Sequence, residues 1–333
     1  MLTRKARLVK SKEIGHDIDC SNMPAGLRDL TIRQLRSLAA LAAGGSITAA
    51  ASRVNLTQPA VTQQLRNLQD LAGLPLVQRT TEGMRLTDAG RELLALSQRI
   101  EASIATCELS LEALAGRTGG KVSIGAVSTA KYFVPYAIAA FSKLYPKIDI
   151  KLAVGNRETI RRAVHDYEMD IAIMGRPPSD VNVEVQLIGD HPHILVASGQ
   201  HPVASRDVLS LSDLSGEVFI TREAGSGTRL LMEGLFEANN LHPRIRMEMG
   251  SNETVKQSVI AGLGIAFISA HTVASELDDG RLVILDIDGL PVVRQWFVVR
   301  RKDKIMLPPA QAVLDFMSTQ GARYLPKLPQ LSR

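Results

Sequence analysis

The stretch Ser46-Ile47-Thr48-Ala49-Ala50-Ala51-Ser52-Arg53-Val54-Asn55-Leu56-Thr57-Gln58-Pro59-Ala60-Val61-Thr62-Gln63-Gln64-Leu65-Arg66 decides the fold of the N-terminal quarter. Ser46 can cap a helix, and Ala49, Ala50 and Ala51 are small enough to let a neighbour approach it closely. Asn55 breaks that helix. Thr57 then caps another, with Pro59 in the first turn, where a missing N–H costs nothing. Val61, Leu65 and Leu68 recur at i, i+4, i+7 and form a core face. Gln58, Thr62 and Arg66 form a second face at i, i+4, i+8, with Gln63 and Asn67 beside them. This face carries amide, hydroxyl and guanidinium groups and no carboxylate. Such side chains read base edges and thymine methyls in a major groove and also reach phosphates. A plain solvated face would mix in Glu and Asp.

The surrounding pattern agrees with a helix-turn-helix. From Thr31 to Ala43 the residues Leu35, Leu38, Ala39 and Ala42 repeat at helical spacing, and Gly44-Gly45 ends the run. Beyond Gly73, Leu76-Val77-Gln78-Arg79 and Met84-Arg85-Leu86 read as a two-stranded wing turning at Glu82-Gly83, before a new helix cap at Thr87. Arg79 and Arg85 on such a wing could grip phosphates or a minor groove.

The segments from Ser46 to Ala51 and from Thr57 to Leu65, together with Leu76-Val77-Gln78-Arg79 and Leu86-Thr87-Asp88-Ala89-Gly90, resemble the DNA-binding domain of the LysR-type transcriptional regulators. The resemblance implies that Thr57, Gln58, Pro59, Thr62, Gln63, Arg66 and Arg79 lie at or near DNA. Two positions depart from the family pattern: Val77 replaces a frequent Phe and Gln69 a frequent Glu. Both bear on the stability of the wing.

Between Thr87 and Gly116 there is no proline, and Leu93, Leu96, Ile100, Ile104, Cys107, Leu111 and Leu114 recur at spacings of a coiled-coil seam. A helix of this length is a rod of about 40 Å. It can pair with a second copy or pack on its own domain, and the regularity favours pairing. Cys107 reads as a small buried seam residue. Gly116–Gly120 is the clearest linker in the chain.

Thereafter strands and helices alternate. Val122–Ala126, Ile148–Val154 and Ile171–Met174 read as strands, with helices at Tyr132–Leu144 and Arg157–Tyr167. A second set follows at Val218–Thr221, Thr228–Asn239, Ile245–Met249, Asn252–Ala261 and Ile265–Ile268. Strands near Leu282–Ile287 and Trp296–Arg300 and a closing helix from Pro309 to Thr319 complete the chain. This βαβα order predicts mainly parallel sheet, with ligands at the carboxyl ends of strands. The expected architecture is α/β: a winged helix-turn-helix, a long dimerisation helix and a two-lobed effector domain. On the resemblance, that last part is similar to periplasmic binding proteins. The expected limits are a tail at 1–26, the DNA-binding domain at 27–87, the linker helix at 88–117, lobe I at 118–196 and 269–325, and lobe II at 197–268.

Four polar helix starts could face one cleft between the lobes. Ser128-Thr129 and Asn156-Arg157 follow strands of the first lobe. Arg222 and Gly225-Ser226-Gly227-Thr228-Arg229, then Ser251-Asn252, serve the second. Each offers free N–H groups to an anion, although a Gly-Ser-Gly-Thr sequence can equally be a plain loop. Arg157, Arg222 and Arg229 suggest a ligand carrying phosphate or carboxylate. The segments 127–135, 154–158, 173–178, 223–229 and 251–257 resemble the CbbR branch of the LysR-type regulators, and the likeness spans about residues 28–325. It implies an activator of Calvin–Benson–Bassham and Rubisco operons that forms homodimers and homotetramers on double-stranded promoter DNA and contacts RNA polymerase. It also implies a reversible anionic coinducer, a phosphorylated sugar or a nucleotide, and no bound cofactor. A LysR-type regulator of aromatic or amino-acid metabolism, or a solute-binding protein, are the other readings.

Composition bounds these readings. The chain has 333 residues with a net charge of +5. Residues 1–90 hold 12 Lys/Arg against 7 Asp/Glu, and the remainder balances at 27 against 27. An acidic partner at the basic end fits, nucleic acid before membrane, although a solvated basic tail would give the same excess. Residues 1–22 fall outside the resemblance, and Met23 could be the start. The first 26 residues lack an apolar signal core, and two cysteines exclude a disulfide scaffold, so a cytoplasmic, membrane-free protein is expected. No nucleophile elbow or phosphate-binding Gly-Lys loop occurs, and an enzyme is not expected. His191-Pro192-His193 lacks further ligands for a metal and reads as a surface or strand-end pair.

Overall fold

The computed structural model describes residues 26–81, 83–114, 119–206 and 209–329. Most of the expected tail, Glu82 of the wing turn and residues 115–118 of the expected linker lie outside the described residues. The chain divides into two units, Met1–Ser97 and Gln98–Arg333.

In the first unit, Thr31 and Gln34 form a reciprocal capping box that opens α1 (Ile32–Gly44). Gly45 ends it at φ +66°, a conformation a side chain rarely adopts. Ser46 caps α2 (Ile47–Val54) by accepting from the Ala49 N–H, and Thr57 caps α3 (Gln58–Ala72) by accepting from the Ala60 N–H. Leu35, Leu38, Leu41, Ala50, Ala51, Val61, Leu65 and Leu68 are buried together with Leu76, which leads into the wing. The wing pairs β1 (Val77–Thr80) with β2 (Gly83–Leu86) in antiparallel register. It is tied back to the helices: Met84 N donates to Gly45 O at 3.0 Å, and Leu76 N donates to the Gln69 side-chain carbonyl at 3.1 Å. Gln69 therefore anchors the wing with an amide oxygen, a task that does not need the carboxylate of the usual Glu.

Thr87 caps α4 (Asp88–Leu114) by accepting from the Gly90 N–H. Along the expected seam Leu93 is buried, Leu96, Ile100 and Ile104 are half-buried, and Cys107 and Leu111 are exposed in the single chain. Within a single chain Cys107 is therefore exposed; the burial expected of a seam residue is burial against a second copy.

The second unit is built on one mixed sheet. Its strands run in the order β10 (Leu282–Ile284), β6 (Val183–Ser198), β11 (Val292–Arg301), β5 (Ile171–Met174), β3 (Gly120–Val127) and β4 (Ile148–Gly155), with β9 (Ala266–Ser269) also on β6. Only β3 with β4 and β3 with β5 are parallel; β5–β11, β11–β6, β6–β9 and β6–β10 are antiparallel. The expected mainly parallel sheet is thus parallel at one end alone. A separate parallel pair joins β7 (Val218–Arg222) to β8 (Arg244–Met249).

Two lobes form because β6 and β11 run through both. The first lobe packs α5 (Val134–Leu144), α6 (Arg157–His165) and the closing helix α9 (Pro308–Gln320) on β3, β5 and β11, around Phe133, Phe141, Ile160, Ile173, Trp296 and Leu314. In the second, α7 (Gly227–Ala238) covers Leu195, Phe219 and Ile265, while α8 (Asn252–Ile260) covers Ile194, Val196 and Ile268. The continuous apolar run Ile194–Ala197 is what a strand buried on both faces requires.

The lobe boundaries differ from those expected. β6 leaves the first lobe near His191–His193, ahead of Ala197, because Ile194–Ala197 already pack in the second core. The return falls at β11, after residue 290 and well beyond Ser269. Residues 269–290 stay in the second lobe, burying Ala270, Val273, Leu282, Leu285 and Ile287 there.

Candidate functional site

Two surfaces hold most of the expected site residues. The first is the polar face of α3 with the wing. Thr57, Gln58, Pro59, Gln63, Arg66 and Asn67 are exposed and Thr62 is half-buried. Thr62 Oγ1 donates to Gln58 O at 2.9 Å, and Gln63 Nε2 donates to Asn67 Oδ1 at 2.7 Å. Both amides are exposed, and side-chain amides supply the donor and acceptor that an adenine edge complements. On the wing, Arg79 stands opposite Met84 and Arg85 opposite Gln78. Strand alternation therefore puts the two exposed arginines on opposite faces of the ribbon, so they cannot grip one phosphate together.

The second surface is a cavity of about 800 Å³ where strand ends of both lobes meet. Ser128 and Thr129 follow β3, Arg157 opens α6 after β4, and Gly175-Arg176-Pro177 follows β5. Arg222 ends β7, and Ser226-Gly227-Thr228 open α7, whose first-turn N–H groups have no intrahelical acceptor. His191 and His193 of β6, Arg294 and Gln295 of β11, and an apolar strip including Leu231, Leu235 and Phe297 complete the wall.

The wall is cationic: Arg157, Arg176, Arg222 and Arg294 line it and, among the described residues, no Asp or Glu does. Arg222 is 3% exposed, and every direction of its guanidinium is engaged. Nε and Nη2 donate to the Glu223 carboxylate at 2.7 and 2.9 Å, Nη1 donates to Asn252 Oδ1, and Nη2 reaches Ser128 Oγ of the other lobe at 3.3 Å. Arg157 is in the opposite condition. Its Nε is buried without a hydrogen-bond partner. Burial first, then repulsion from Arg176 and Arg161, lowers its pKa. A guanidinium so placed is stabilised by an incoming anion.

His191 and His193, expected as a surface or strand-end pair, instead carry the cavity wall into a buried aromatic stack. His191 is buried against Trp296 with ring centroids 3.7 Å apart, and its Nε2 pairs with Ser269 Oγ at 2.9 Å. Trp296 Nε1 donates to His271 Nδ1 at 3.1 Å, joining the two lobes. Burial pushes His193 and His271 down to about 4 and holds His191 well below the usual imidazole range, so all three are neutral near pH 7.

Known proteins share this layout. Residues 32–91 match the family described as bacterial regulatory helix-turn-helix protein, lysR family, and residues 115–322 match the LysR substrate binding domain. The HTH-type transcriptional regulator CbbR of Xanthobacter flavus is 50% identical over 301 residues, covering 90% of each chain. The RuBisCO operon transcriptional regulator of Allochromatium vinosum is 40% identical, over 88% of this chain and 97% of its own. The chain belongs to the LysR family, as a CbbR-type regulator. Among solved structures, the CcmR regulatory domain of Synechocystis PCC6803 in complex with 2-PG is 37% identical, with a TM-score of 0.58. That likeness covers 60% of this chain and 96% of the other. Relatives at this level are named transcriptional regulators, and this LysR-family chain is a regulator, not an enzyme.

Within this LysR-type effector unit, the cavity gathers Ser128, Thr129, Arg157, Arg222, Ser226, Gly227 and Thr228 of the expected residues. The other five stand elsewhere. Arg229 is held outside by Glu233 at 2.7 Å and by Glu248. Ser251 caps α8 from an exposed position by accepting from Thr254 N–H, and Asn252 stands behind Arg222. Asn156 caps α6 and donates to Glu223 Oε1 at 3.3 Å. Gly225, at φ +83°, has no Cβ to meet Glu158 of the opposite lobe, where the Glu158 N–H donates to Gly225 O at 3.3 Å. Its glycine serves the approach of the lobes and not of a ligand. Sequence reading missed Arg176, His191, His193, Arg294 and Gln295; a strand end followed by Gly-Arg-Pro was the available signal for Arg176.

Proposed function

We propose that this LysR-family chain activates carbon-fixation genes, the Rubisco operon among them, and answers to a phosphorylated small molecule held in the cavity between its lobes. The observation that carries this reading is the arginine-lined, carboxylate-free wall in a chain half identical to a CbbR. The ligand bound in the CcmR relative, 2-PG (2-phosphoglycolate), supports the chemical class. In this reading Arg157 and Arg176 take the phosphate, assisted by Ser128, Thr129 and the N–H groups that open α7. Gln58, Thr62, Gln63 and Arg66 read base edges. Thr57 and Pro59 set the start of α3 against the backbone, and Arg79 and Arg85 contact phosphates on either side of the wing. α4 pairs two copies through its Leu93–Leu111 seam, as a dimer or within a tetramer, and the exposed Cys107 and Leu111 are covered in that pairing. The DNA-bound assembly contacts RNA polymerase. Ligand shifts the arrangement of the lobes by binding one arrangement more tightly than another.

Gel-shift titration on the promoter beside its own gene tests the reading. Nanomolar binding that changes with 2-phosphoglycolate or a sugar bisphosphate is expected. Equal affinity for promoter and random DNA would overturn it.

A further inference from the structure

We propose that Glu223 is a resident counter-anion that occupies the donors of Arg222 and Asn156 and thereby sets the threshold at which an anionic effector is bound. The inference rests on the proposed anion-binding role of the cavity and deepens it. Glu223 accepts three hydrogen bonds: two from the cavity guanidinium of Arg222, Nε at 2.7 Å and Nη2 at 2.9 Å, and one at 3.3 Å from Nδ2 of Asn156, which caps α6 beside the cavity. Arg222 and Glu223 belong to the second lobe and Asn156 to the first, so one carboxylate both neutralises the cavity arginine and ties the lobes together. The same arginine reaches across to Ser128 at 3.3 Å. The Glu223 backbone is fixed by its N–H donating to Met249 O at 3.1 Å, which holds the carboxylate in this position.

The contrast with Arg157 gives the carboxylate its role. Arg157 lines the same cavity with an unpartnered buried Nε and no carboxylate seated on it. An entering anion pairs with Arg157 without displacing anything. To recruit Arg222 as well, it must compete with an anion that the chain supplies itself at fixed, high effective concentration. Glu223 also repels any anion that approaches Arg222, and a repulsion of this kind shifts a binding equilibrium by about tenfold.

Calorimetric titration of the full-length wild type, Glu223→Gln and Glu223→Asp with 2-phosphoglycolate, and with glycolate as its phosphate-free analogue, tests the proposal. Glu223→Gln keeps the shape and removes the charge. It is expected to bind 2-phosphoglycolate roughly tenfold more tightly, with a smaller gain for glycolate, while Glu223→Asp shows no such gain. Unchanged or weaker binding of 2-phosphoglycolate by Glu223→Gln overturns the proposal, since a part that merely shapes the site would weaken binding. If Glu223→Gln fails to fold, Asn156→Ala, which removes one tie to the carboxylate, is expected to change the ratio of 2-phosphoglycolate to glycolate affinity; an unchanged ratio overturns the proposal. Wild type that binds neither compound, whatever the variants do, brings down the anion-binding reading and this inference with it. Wild-type binding abolished by Arg157→Ala, with no gain in Glu223→Gln, brings down this inference alone.

Discussion

In the DNA-reading unit most of the side chains proposed to meet DNA follow one another along the start of α3, from Thr57 to Arg66, with Arg79 and Arg85 on the adjoining wing, and all but Thr62 are exposed. In the effector unit they arrive from the ends of β3, β4, β5 and β7 and from the middle of β6 and β11, across more than 160 residues of chain. The arginines differ in the same sense. Arg66 and Arg79 stand at the surface, Arg222 and Arg229 are held by carboxylates, and the half-buried Arg157 of the cavity wall has a buried Nε with no partner. A reader of DNA needs a ready-made face presented to a large polyanion. A sensor of a small anion needs charge set inside a cavity, part of it already restrained, as Arg222 is by Glu223, and part with a donor unmet, as in Arg157, so that the ligand makes a difference.

That contrast can be broken by substitution. The largest effect is expected in the effector unit: Arg157→Ala should weaken 2-phosphoglycolate binding roughly hundredfold in calorimetry, since it removes a half-buried charged partner whose Nε has no other acceptor. A loss no greater than that from Arg176→Ala would place the anion elsewhere in the cavity. Next comes Gln63→Ala, which should cut the preference for promoter over random DNA by about tenfold, the worth of one base-edge pair. Equal loss on both DNAs would make Gln63 a backbone contact.

The buried histidines give a smaller, pH-dependent effect on the sensor. His193 and His271 are pushed down to about 4, below the unfolded value, so the unfolded chain binds protons that the folded chain refuses. Their contribution is full above about pH 6.5 and is lost as pH falls from there toward 4, by about 1 kcal/mol per histidine at pH 5.5. Denaturant unfolding at pH 7.5 and 5.5 measures it, and His271→Asn should flatten the dependence. Smaller again, Arg79→Ala should weaken binding to every DNA sequence a few-fold and reduce the salt slope by about one. Arg229→Ala, its charge already held by Glu233 and Glu248, should leave 2-phosphoglycolate affinity within about twofold, well inside the effect of a lost surface pair.

What could be read from the chain divides along the same line. Caps, core period and polar face of α1 to α3 are local, and Ser46, Thr57, Val61 and Leu65 take the places their spacing predicts. β6 escaped because Pro192 interrupts it and its two halves obey different rules: alternation at Val183, Val185 and Leu187, then a continuous apolar run. Proline is tolerated there because only β11 flanks the strand at that point, β9 joining from His193. With β6 unseen, the lobe crossing at His191–His193 and the stack on Trp296 were invisible. The effector candidates divided for a related reason. A polar helix start is a local fact, but whether its side chain meets a ligand or a neighbouring carboxylate depends on the other lobe. Arg222 and Arg229 look alike in the sequence, and only the fold sets one in the cavity wall and the other outside it.

The central claim is that an anion seated at Arg157 changes how the two DNA-reading heads hold their site. The direct measurement is the DNA bend angle and footprint length on the promoter beside its own gene, with and without saturating 2-phosphoglycolate, for wild type and Arg157→Ala. The account predicts a shift in wild type that Arg157→Ala fails to show at the same ligand concentration. A wild-type footprint and bend untouched by the ligand, or an Arg157→Ala variant that responds as wild type does, would contradict it.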